Sequence, residues 1–160
     1  MKMETGQINL LFAWLWILFG FVSGMILGMF FQGENWLGGY GSFQRRMYRL
    51  GHISFFGLGA VNLLFWLTLQ KVSVSGPLVG LASWALIIGG ATMPLCCLVM
   101  AHFRRLHLIF ALPVLSLITG GILMLILVFH SGTGVPPVSF HLEANHFSET
   151  QGRPTPATTP

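Results

Sequence analysis

Residues 5–33, TGQINLLFAWLWILFGFVSGMILGMFFQG, run between Glu4 and Glu34 without a single charged side chain. A helix of about 20 residues crosses a hydrocarbon core of about 30 Å. The stretch holds one such helix and not comfortably two. The pattern then recurs. No charge lies from Leu50 to Gln70, from Val72 to Phe103, or from Leu106 to Leu142. Each interval holds one crossing helix, and the four are expected near residues 8–31, 50–69, 77–101 and 107–129. The expected fold class is all-α, a polytopic membrane protein built as a four-transmembrane-helix bundle over residues 1–130. Residues 131–160 are expected to form an extramembrane, largely disordered tail, because SGTGVPP and RPTPATTP offer too few apolar groups to fold alone.

The composition points the same way. Of 160 residues, 54% are hydrophobic and only 8% charged, and the mean hydropathy is +0.75. A soluble domain needs roughly 25% charge to cover its surface. An ordinary soluble domain, a disordered chain and a nucleic-acid module are therefore excluded. The chain contains no Asp and four Glu, which removes an Asp nucleophile, an Asp–Asp pair and an Asp-held magnesium. No Gly-rich loop with Lys, no G-x-S-x-G and no C-x-x-C-H is present.

Direction follows from the basic residues. Arg45, Arg46 and Arg49 sit in the first loop and Arg104 and Arg105 in the third, against Lys2, Lys71 and Arg153 on the other side. Loops one and three are thus expected in the cytoplasm and both termini outside, as a multi-pass protein of a bacterial-type inner membrane. Trp14, Trp16 and Trp66 then fall near the outer interface and Trp36, Tyr40 and Tyr48 near the inner one. The first apolar stretch exceeds the 7–15 residues usual for a signal peptide, so a retained helix is expected. In QGENWLGGYGSFQRRMYR (32–49) the glycines predict an irregular start, and SFQRRMYR a basic turn of helix on the membrane surface. Pro77 suits a first helical turn. Pro94 and Pro113 are expected to kink helices three and four, which a membrane bundle tolerates where neighbours re-satisfy the freed backbone groups.

Helices in lipid associate by close packing. Gly20, Gly24 and Gly28 form a small-xxx-small series, with Gly89–Gly90 and Gly120–Gly121 as further points of close approach. They serve packing within the monomer, contact with another subunit, or the edge of a flat cofactor. Asn62 should hydrogen-bond across to another helix. The 14 Phe residues read as lipid-facing and packing material, and their abundance is no evidence for an aromatic ligand cage.

Few side chains remain for chemistry. No charge lies within a span, which argues against ion-coupled transporters, pumps and voltage sensors. His52 shares a helix face with Phe55, Phe56, Gly59, Asn62 and Trp66. With His102 and His107 it lies at the cytoplasmic face, a ligand set for haem b or a metal ion. An interfacial role beside arginines is the ordinary use of such histidines. Met93, Cys96, Cys97 and Met100 offer soft sulfur suited to Cu(I), although adjacent cysteines point about 100° apart and ordinary burial accounts for them. HLEANH (141–146) lacks the H-E-x-x-H spacing of zinc proteases.

Four spans with histidines near one face are similar in shape to small b-type cytochrome subunits in general, a likeness without a diagnostic motif. Three functions are weighed. The first is a non-catalytic subunit or assembly factor of a larger membrane complex, such as a respiratory one, docking through its glycine faces. The second is a small b-type haem redox protein exchanging electrons with quinol. The third is a channel or transporter for a small solute or copper. The partners expected are the lipid bilayer and other membrane subunits, with no nucleic acid.

Overall fold

The computed structural model describes residues 5–72 and 76–132. The expected disordered tail lies outside them from residue 133 onward, as do Lys2, Arg153 and the HLEANH segment. The described residues form no strand. Four α-helices follow one another: α1 (Thr5–Phe30), α2 (Phe43–Lys71), α3 (Pro77–His102) and α4 (Ala111–Gly132). Short 3-10 segments at Trp36–Gly38 and Arg104–Phe110 precede α2 and α4. Four helical spans are long and apolar enough to cross a membrane: Gly6–Phe30, Phe43–Lys71, Pro77–His102 and Arg105–Ser131.

Each helix packs antiparallel on the next, and α1 also touches α3. The middle helix α3 is the most buried and the outer α1 the least. Two kinds of contact join them. Phe65 of α2, Val79, Ala82 and Leu86 of α3, and Leu127 of α4 form an apolar cluster. Asn9 of α1, Asn62 of α2 and Ser83 of α3 form a buried polar one. Asn9 Nδ2 donates to Asn62 Oδ1 at 2.7 Å, Ser83 Oγ donates to Asn9 Oδ1 at 2.5 Å, and Asn62 Nδ2 donates to its own helix at Leu58. These bonds satisfy the polar groups of three helices at once, as burial requires.

The helix bounds differ from the sequence reading at two places, each for a local reason. α2 starts seven residues before Leu50. Its start is set by Ser42, whose Oγ accepts from the Arg45 backbone N–H, and a capped end does not need to coincide with the edge of an apolar run. α4 starts late: residues Arg104–Phe110 are 3-10 and the α-helix begins at Ala111. Pro113 therefore lies in the first turn, where the absent N–H breaks no helical bond. It shapes the entry to α4 and does not kink its interior.

Pro94 does lie inside α3. Its missing N–H releases the carbonyl of Gly90, four residues earlier. The indole Nε1 of Trp16, on α1, donates to that carbonyl at 3.0 Å. Trp16 is thus an interior anchor and not part of an interfacial belt. At the entry to α4 the Ile109 carbonyl, which accepts from the Ala111 backbone N–H, also accepts from Cys96 Sγ at 3.6 Å, tying α3 to the segment before α4.

The loop before α2 is tight. Leu37, Gly38 and Gly39 take φ of 53°, 82° and 90°, a left-handed run that glycine tolerates and leucine does not favour. Arg45 holds it. Its side chain is fully buried. Nε donates to Trp36 O at 2.6 Å, Nη2 donates to Gly33 O and Glu34 O, and the guanidinium lies 4.5 Å from the Tyr40 ring centroid. One of the arginines read as an orientation signal is therefore also the pin of its own loop.

Candidate functional site

The inner face of α1 is cut away by Gly20 and Gly24, with Ser23 between them. They lie within one turn of each other, so all three face one neighbour. That neighbour is α2. The Phe56 ring fills the notch at Gly20, 2.8 Å from where a Cβ would stand, and the His52 ring fills the notch at Gly24, at 2.7 Å. Gly59, one turn further along α2, admits the α1 backbone itself, with Ala13 O 3.1 Å from its would-be Cβ. Contact between the two helices thus changes from backbone against backbone at Gly59 to ring-filled at Gly20 and Gly24. Gly28 has nothing within 4 Å.

On the ring-filled half a cavity of about 420 Å³ opens between α1, α2 and α3. Phe19, Phe30, Trp36, Tyr48 and Phe55 supply aromatic walls, Val22, Ile26 and Leu98 aliphatic ones, and Ser23 and His52 the polar spot. Phe19, Phe30 and Phe55 line this space, while Phe19 and Phe30 are also exposed on the outer surface of α1, in keeping with the reading of Phe as lipid-facing and packing material. Composition could not single out these three, because the same residue type covers a lipid-facing surface.

His52 is held by two neighbours. Its Nδ1 lies 3.0 Å from Ser23 Oγ, and Ser23 Oγ donates to the Gly20 carbonyl at 3.0 Å. Serine has one proton to give. Which partner donates in the contact with Nδ1 follows the tautomer of the imidazole ring. Nε2 has no hydrogen-bond partner among the described residues.

The other sequence candidates are placed apart. His102 Nε2 lies 3.0 Å from the Tyr48 hydroxyl, and the two rings meet edge to face. His107 is exposed in the 3-10 segment before α4. Three histidines near one end of the bundle therefore have three different surroundings. Among the described residues, no three His, Cys, Asp or Glu side chains gather as metal ligands. Cys96 and Cys97 are both buried and face different elements. Cys96 bonds Ile109, while Cys97 packs against Gly51 of α2, its Cβ 3.4 Å from where a Gly51 Cβ would stand. Met93 and Met100 are half-buried on the same helix.

Asn62 joins α2 to α1. Its partner Asn9, the Ser83 that bonds Asn9, and the Trp16 anchor escaped the sequence reading. A signal existed for two of them: Asn9 is the one amide well inside the first apolar run, and Pro94 announces a carbonyl in need of a donor.

Compared with family models, with curated proteins and with solved structures, the chain matches none of them.

Proposed function

We propose that this chain is a small multi-pass membrane protein acting as a non-catalytic subunit or assembly factor of a larger membrane complex, such as a respiratory one. The observation that carries the reading is a set of vacant helical glycines. Gly28 on α1, Gly57 on α2, Gly80 on α3 and Gly121 on α4 would each place a Cβ in open space. A glycine inside a helix costs about 1 kcal/mol relative to alanine. Lipid gives no return for that cost, whereas a partner helix approaching closely does. Gly20, Gly24, Gly59, Gly89 and Gly120 are already filled from within the chain, so the vacant ones are those free for another protein.

The interior polar groups fit this role. Asn9, Asn62, Ser83 and Trp16 are engaged in joining helices, and Ser116 Oγ donates across to Ala85 O at 2.8 Å. The orientation proposed puts the arginine-bearing loops in the cytoplasm and both termini outside, in a bacterial-type inner membrane. It is supported by Arg46 and Arg49 at the start of α2 and Arg105 before α4. At 29 residues α2 rises about 43 Å, enough to cross the core and keep its arginine turns outside it.

The test is recovery of a partner. Tagged protein solubilised in mild detergent should bring down a defined set of membrane proteins, and Gly28→Leu with Gly57→Leu should reduce that recovery. A chain that runs alone at every detergent strength would overturn the subunit role. Reporter fusions at the two ends test the orientation separately.

A further inference from the structure

We draw no further inference here: the strongest candidate, the apolar groove between α1, α2 and α3 beside His52 and Trp36, is an unpartnered face of the bundle, and nothing in the structure shows what covers it.

Discussion

The indole N–H of Trp16 is bonded at 3.0 Å to the carbonyl of Gly90, 74 positions away. That carbonyl is free because the residue four places on is Pro94. A proline inside a helix leaves an orphan acceptor, and in an apolar medium an orphan acceptor must be met from elsewhere in the protein. The defect in α3 is thus the attachment point of α1.

This coupling is open to a double-mutant cycle. Trp16→Phe keeps the ring and removes the donor, and should destabilise the fold by about 1–3 kcal/mol, the cost of an unsatisfied buried carbonyl. In a Pro94→Ala background the alanine supplies a helical N–H to Gly90, and the same change should cost less than about 1 kcal/mol. Reversible unfolding in mixed micelles measures both. Equal costs in the two backgrounds would separate Trp16 from Pro94.

The glycines of α1 should behave differently from one another. Gly24→Ala places a methyl 2.7 Å from the His52 ring, and should cost about 1–3 kcal/mol through overpacking. Gly28→Ala meets nothing within 4 Å, and should be neutral or stabilising by up to about 1 kcal/mol, from helix propensity. Unfolding of the two variants side by side checks the order.

Asn9 and Asn62 should prove coupled. Replacing either by Leu leaves the other one hydrogen bond short in an apolar interior, although Asn9 keeps Ser83 and Asn62 keeps Leu58, and is expected to cost about 1–3 kcal/mol. The double variant should cost less than the sum, by about 0.6–1.7 kcal/mol, the range for hydrogen bonds between membrane helices. A strictly additive pair would mean that their 2.7 Å bond contributes nothing.

Arg45 is expected to act locally. Arg45→Lys keeps the charge but replaces a planar fork by a point donor, which cannot serve the carbonyls of Gly33, Glu34 and Trp36 together. Amide exchange over residues 33–42 should accelerate by about ten- to a hundredfold, while protection in the middle of α1 and α3 stays unchanged. Loss of protection throughout the bundle would make Arg45 a global support and not a loop pin.

The four spans and their alternating direction were legible in the chain alone. Charge-free runs such as residues 5–33 are a one-dimensional property, and the length a helix needs to cross an apolar layer is a constant of backbone geometry. Small residues at Gly20 and Gly24 marked a face made for close approach, again from spacing. Which groups would enter those notches depended on how α1 is rotated and seated against α2, and only tertiary structure decided that they are the rings of Phe56 and His52. For the same reason His52, His102 and His107, level along the bundle, part company in the fold: one faces Ser23, one bonds Tyr48 and one is exposed. Trp16 has the composition of a belt residue and the position of an interior anchor, because the carbonyl it satisfies lies in another helix. Height along a helix is written in residue counting. The angle at which each side chain meets its neighbour is set by the packing of all four helices together.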